Sequence, residues 1–129
     1  MNGFYSDEHG FYLVSEMVAL CSHKTPHNLP LTSLLHNMAH QCWDGDCTPW
    51  QVLRDHDPEN FKKHKRRIQD ADLQYPLVVS AVDYNVLDGM HRLCKAQQQG
   101  LTTLPCFLLT RQEMRSLRRS LDEVLEVLQ

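Results

Sequence analysis

Five consecutive residues, Asp88-Gly89-Met90-His91-Arg92, carry the side chains best suited to chemistry in this chain. They follow the apolar run 84–87 and precede residues with helical spacing, so the sequence predicts a strand, a tight turn and a helix. The first backbone N–H groups of a helix have no intrahelical partner, and together with the helix dipole they attract anions. The sequence therefore predicts an anion site at this turn.

Each residue of the turn has a predicted role. Gly89 lets the backbone approach a phosphate, Met90 contributes its backbone, and Arg92 and His91 can donate hydrogen bonds. A carboxylate beside an anion is useful if it holds Mg²⁺ or orients a hydroxyl, so Asp88 is a candidate metal ligand and, with His91, a candidate catalytic residue. In the alternative interpretation Asp88 only caps the helix and the other side chains are solvated.

Other charged residues could complete such a site. The run 62–67 is strongly basic, and from it Lys63 and Arg67 are predicted to bind phosphates, although a run of this kind also suits a solvated helix face. Upstream, Asp44 and Asp46 are candidate acidic partners for a metal ion or a proton. Either of two tryptophans, Trp43 or Trp50, could stack on a base, but a tryptophan also suits a protein core.

Periodicity and turn signals predict the elements that position these residues. A helix is expected over 7–22, an extended piece with a helical turn over 29–35, and a loop over 36–48. Further helices are expected over 49–56, 58–72 and 111–128, strands over 75–79, 84–87 and 104–109, and a helix that begins after the glycine turn and ends at Gly100.

The segments 75–79, 84–96 and 100–106 together resemble the core of the ParB/sulfiredoxin-like superfamily, whose hallmark is a strand that ends in Asp-Gly-x-His-Arg. The resemblance covers residues 73–109 well, and 29–34 resembles the N-terminal strand of that family. It implies an α+β fold, with a small mixed sheet surrounded by helices, in one domain over 1–129 whose core is 29–109. By this resemblance, Gly89, His91 and Arg92 contact the phosphates of a nucleotide.

The same resemblance implies a cofactor and excludes one reaction. It suggests ATP or CTP, as the triphosphate or diphosphate, with Mg²⁺ near Asp88. Met90 stands where sulfiredoxins carry their reactive cysteine. Because a thioether cannot serve as that nucleophile, sulfiredoxin activity is not expected.

Composition limits the setting. A chain of 129 residues with a net charge of −3 is predicted to form one globular domain, and it has neither an apolar run long enough for a membrane span nor a signal-peptide pattern. We therefore expect a cytoplasmic location and no membrane partner. The five cysteines are expected to be reduced, and no zinc is expected because His36, His40, Cys42 and Cys47 lack a usual ligand spacing.

The sequence is compatible with two functional classes. The first is a nucleotide-binding protein, with phosphotransfer or nucleotide hydrolysis as its reaction. The alternative is a non-enzymatic DNA- or RNA-binding or regulatory module, or a ParB-like nuclease, that uses the basic helix 62–67. The apolar stripe of the last helix, 111–128, additionally suggests a homodimer contact.

Overall fold

The computed structural model describes residues 3–41, 43 and 47–128. It confirms the predicted α+β class, with a four-stranded mixed sheet, a two-stranded hairpin and six α-helices among these residues. None of the helices in the described part of the chain is long and apolar enough to cross a membrane.

The strands are β1 Phe4–Asp7, β2 Gly10–Leu13, β3 His27–Pro30, β4 Leu77–Ser80, β5 Val86–Asp88 and β6 Thr103–Leu109. The hairpin consists of β1 and β2. The four-stranded sheet has the order β3-β6-β4-β5, so β5, which ends at the glycine turn, lies at one edge. Strands β4 and β6 are parallel, and the other two pairings are antiparallel.

The helices are shorter than their sequence patterns predict. A 3-10 turn at 31–33 lies in the segment 29–35, where a helical turn was expected, and a second at 35–39 occupies the first part of the segment 36–48 that was expected to be a loop. The α-helices are α1 Val14–Cys21, α2 Pro49–Arg54, α3 Lys62–Asp70, α4 Met90–Gln98, α5 Arg111–Leu117 and α6 Leu121–Leu128.

The sheet separates two apolar cores because neighbouring residues of a strand point to opposite faces. On one face, Leu77 and Val79 of β4 are buried with residues of α2, α3 and α4. On the other face, Val78 of β4 and Leu87 of β5 are buried with residues of β2, α1 and α5. The glycine turn lies at the end of β5, where both helical layers meet the edge of the sheet.

The prediction of a helix over 7–22 is confirmed only for its second part, α1, because the first part forms a hairpin. The Asp7 carboxylate accepts hydrogen bonds from the backbone N–H groups of His9 at 2.8 Å and Gly10 at 3.1 Å, which closes the turn between β1 and β2. Tyr12 of β2 is completely buried against the sheet. Burial of this aromatic side chain outweighs the local helical spacing, and α1 begins only at Val14.

The predicted last helix is also interrupted, between α5 and α6. Arg119 pairs its backbone with Phe11 of β2 through two hydrogen bonds, of 2.8 and 3.1 Å. Its guanidinium donates to both carboxylate oxygens of Glu16 at 2.7 Å. Ser120 then caps α6. Long-range pairing with the hairpin therefore breaks a segment whose apolar spacing is continuous.

Candidate functional site

The turn between β5 and α4 depends on Gly89. Its φ is 111°, a left-handed conformation that favours glycine. A Cβ atom there would lie 3.0 Å from the Leu77 side chain and 3.1 Å from the Arg92 guanidinium. The first helical hydrogen bond runs from Leu93 N–H to the Gly89 carbonyl, so the three preceding N–H groups, at 90–92, have no intrahelical partner. The turn is therefore closely packed against Leu77 and Arg92, and it has three backbone N–H groups without an intrahelical partner.

Arg92 is turned towards the protein. Its Nη1 donates to the carbonyl oxygens of Tyr75 at 3.0 Å and Pro76 at 2.6 Å, and its Nη2 donates to Asp88 Oδ2 at 3.1 Å. Its side chain is only 16% exposed. Arg92 therefore fastens the segment before β4 to the end of β5, which makes it a positioning residue of the turn.

Asp88 is held by the same ion pair, and this bears on the predicted Mg²⁺. One of its carboxylate oxygens already faces the Arg92 guanidinium. Among the described residues, no three His, Cys, Asp or Glu side chains are grouped closely enough to hold a metal ion. The other predicted acidic partners, Asp44 and Asp46, lie outside the described residues. The described side chains therefore form no metal site of three or more protein ligands.

His91 belongs to an aromatic stack that the sequence did not predict. Its Nε2 lies 3.1 Å from Nδ1 of His64 on α3, which is a hydrogen-bonding distance. The Trp43 ring stacks on both imidazoles, with centroid distances of 4.3 Å to His64 and 4.5 Å to His91. The rings are nearly parallel, at 15° and 7°. Trp43 and the two histidines thus connect α3, α4 and the segment that precedes α2.

The environment of His91 disfavours its charged form. Burial lowers the pKa of His91 to about 4, and the positive charge of nearby His64 and Arg67 contributes to the lowering. In a hydrogen bond between two imidazoles one ring must donate and the other must accept, which a doubly protonated pair cannot do. His91 is therefore neutral near pH 7, and it offers no fixed positive charge to a phosphate.

This shift predicts a pH dependence of stability. Between about pH 6.5 and pH 4 the unfolded chain binds a proton on His91 that the folded protein does not bind. The free energy of unfolding therefore has its full value above about pH 6.5 and decreases as the pH falls towards 4. Because the ring is partly exposed, we expect the loss to be about 1–2 kcal/mol. Urea unfolding at a series of pH values measures it. The variant His91→Gln should show a smaller loss over this range, whereas the exposed control His27→Gln should match the original protein.

The turn opens into a cleft of about 1020 Å³. The cleft lies on the sheet face that also packs against α1. Its lining combines apolar side chains with the glycine turn and four charged residues, Arg67, Asp72, Asp88 and Arg92. The apolar residues that the sheet and α1 contribute to this lining are Val18, Cys21, Val78, Leu87 and Phe107.

Only part of the basic run reaches this cleft. Arg67 is exposed and lines it, whereas Lys63 is exposed and does not line it. Two other lysines of the run form ion pairs, Lys62 with Glu59 at 2.7 Å and Lys65 with Asp55 at 3.3 Å. Of the predicted phosphate-binding residues, the structure thus places Gly89, Met90, His91, Arg92 and Arg67 on one cleft and Lys63 outside it.

Two residues of this site, His64 and Asp72, are not predicted by the sequence. His64 stands among the lysines and arginines of 62–67, so its sequence context predicts a solvated side chain. Its partial burial shows instead that the side chain turns inward. Nothing in the sequence pairs it with His91, which lies 27 positions away. Asp72 follows the basic run without any motif of its own, so only the structure places it on the cleft.

None of the described cysteines provides a reactive thiolate in this cleft. Cys21, Cys47, Cys94 and Cys106 are all buried. Burial raises the pKa of Cys21, which lines the cleft, and that of Cys106 to about 11 each. These two thiols are therefore protonated and unreactive at neutral pH.

No protein-family model matches the chain, and no curated protein is significantly similar in sequence. Among solved structures, the chain is similar to a crystal structure of sulfiredoxin from Arabidopsis thaliana, with 26% identity and coverage of 72% of this chain and 96% of that chain. The TM-score of this match is 0.38, so no function is assigned from it.

Proposed function

We propose that this protein binds a nucleotide in the cleft, with a phosphate on the glycine turn and the nucleoside against the apolar wall. The observation that supports this most is the position of the turn. The first turn of α4, with its free backbone donors at 90–92, and Arg67 line a single cleft whose other lining residues are mostly apolar. A ligand with one anionic end and one flat, apolar body matches that division.

The chain offers different contacts to the two parts of such a ligand. For the anionic part, the backbone N–H groups at 90–92 have no intrahelical partner, and Arg67 supplies a positive charge from α3. For the apolar part, Phe107 and Leu87 are among the apolar lining residues. Trp43 also lines the cleft, and its ring is held in place by the two histidines beneath it. A base could stack against such a ring.

Binding is the core of the proposal, and the predicted catalytic roles are secondary to it. With a pKa of about 4 and a partner on Nε2, His91 is a weak base at neutral pH. Asp88 is paired with Arg92. Phosphotransfer and nucleotide hydrolysis therefore remain predictions, which a turnover assay must test.

Calorimetric titration tests the proposal. We expect saturable binding of at least one of AMP, ADP, ATP, CTP and GTP, each titrated with and without Mg²⁺. The variant Arg67→Glu should weaken that binding about tenfold or more, because it replaces a cation at the cleft with an anion.

Lys63→Glu is the matched control, because it makes the same charge change on the same helix outside the cleft. It should change the dissociation constant by less than about twofold at moderate salt. The proposal fails if no nucleotide binds the folded protein. Equal losses in both variants would favour a diffuse basic surface, as in the nucleic-acid-binding alternative.

A further inference from the structure

We infer that the cleft selects a single phosphate group, as in a nucleoside monophosphate, and binds it without a divalent cation. This inference rests on the proposed function and narrows its ligand class. It departs from the polyphosphate and Mg²⁺ that the sequence resemblance implies. Three observations on the described residues carry it.

The first observation is the charge balance of the cleft. Two cationic side chains line it, Arg67 and Arg92, and two carboxylates line it as well, Asp72 and Asp88. The formal sum over these four side chains is therefore zero. A diphosphate or triphosphate adds negative charge with every phosphate group, and these side chains offer no surplus of positive charge to balance it.

The second observation is that one of the two cations is already used. The Arg92 guanidinium donates to two backbone carbonyls and to Asp88. This leaves Arg67 and the backbone donors of residues 90–92 to bind the anion. One guanidinium and one helix terminus suit one phosphate group.

The third observation concerns the metal ion that polyphosphates usually bring with them. Mg²⁺ bound with a nucleotide is normally held by one or two protein carboxylates as well as by the phosphates. Asp88 faces Arg92, and the Asp72 carboxylate accepts a hydrogen bond from the backbone N–H of Gln74 at 2.9 Å. One oxygen of each carboxylate is therefore already engaged, and both carboxylates oppose further phosphates by their charge.

Competitive titration in EDTA tests the inference with two series of probes, AMP, ADP and ATP, and CMP, CDP and CTP. We expect the monophosphate of at least one series to bind about fivefold or more tightly than its triphosphate at low ionic strength. Adding Mg²⁺ should change the affinity for that monophosphate by less than about twofold.

Asp72→Asn is the decisive variant. It removes one negative charge from the cleft and retains a side-chain oxygen that can accept the Gln74 hydrogen bond. We expect the triphosphate to gain about three- to tenfold in affinity and the monophosphate to gain less than about twofold. Asp70→Asn is its control, because Asp70 is exposed and does not line the cleft.

The outcomes separate the inference from the proposed function. Tighter binding of the triphosphate than the monophosphate by the unsubstituted protein would overturn the inference and leave nucleotide binding intact. Mg²⁺-dependent binding would overturn it as well, as would equal effects of the Asp72 and Asp70 variants. Failure of all six probes to bind would contradict nucleotide binding itself.

Discussion

Gly89→Ala is expected to lower the free energy of unfolding by about 2–3 kcal/mol and to abolish ligand binding. Two effects add. An alanine at φ 111° is strained, and its Cβ would lie 3.0 Å from Leu77 and 3.1 Å from Arg92. Leu77 is fully buried, so it cannot move aside without disturbing the core. The turn must shift, and with it the backbone donors of α4. Urea unfolding and nucleotide titration measure the two effects separately.

Gly100→Ala provides the matched control at the other end of α4. Gly100 also has a positive φ, of 70°, but among the described residues no atom lies within 4 Å of the place that a Cβ would take there. We expect only the cost of the left-handed conformation, about 1 kcal/mol, and unchanged binding. Equal destabilisation by the two substitutions would show that Gly89 is not in the close contact described above.

Arg92→Lys is expected to destabilise the protein by about 2–3 kcal/mol although it conserves the charge. A single ammonium group cannot donate to the carbonyls of Tyr75 and Pro76 and also to Asp88 with the geometry of the guanidinium fork. Because the Asp88 side chain is only 19% exposed, water compensates poorly for the lost partner. Thermal or urea unfolding measures this change.

Asp88→Asn separates the charge of the Asp88 side chain from its role as a hydrogen-bond acceptor for Arg92. Its amide oxygen can still accept from Arg92, so we expect a smaller loss, of about 1 kcal/mol. If Arg92→Lys were as stable as the original protein, Arg92 would not fasten the turn, and its side chain would be available to a ligand instead.

The local part of this site could be predicted from the sequence. The order of strand, glycine turn and helix around Gly89 follows from short-range signals, namely an apolar run, a residue that allows positive φ and a helical spacing. The structure places Gly89 between β5 and α4, as predicted. The capping box of Thr48 and Gln51 at the start of α2 is equally local.

The remaining features depend on contacts between distant residues. The stack of Trp43 on His64 and His91 joins three separate segments, and the pairing of Arg119 with Phe11 spans most of the chain. No periodicity encodes such pairs. The same limit applies to Arg92, because its sequence neighbours give no sign that it turns away from the anion site to bind the carbonyls of Tyr75 and Pro76.

Amide chemical shifts of the folded protein test the central claim most directly. In a titration with AMP and CMP followed by ¹H–¹⁵N correlation spectra, the account predicts saturable shifts of the backbone amides of residues 89–92 for at least one of the two nucleotides, and no comparable shifts in α5. The same titration of Arg67→Glu should require about tenfold more ligand. Unchanged amides at residues 89–92 at saturating nucleotide, or shifts confined to the outer face of α3, would contradict it.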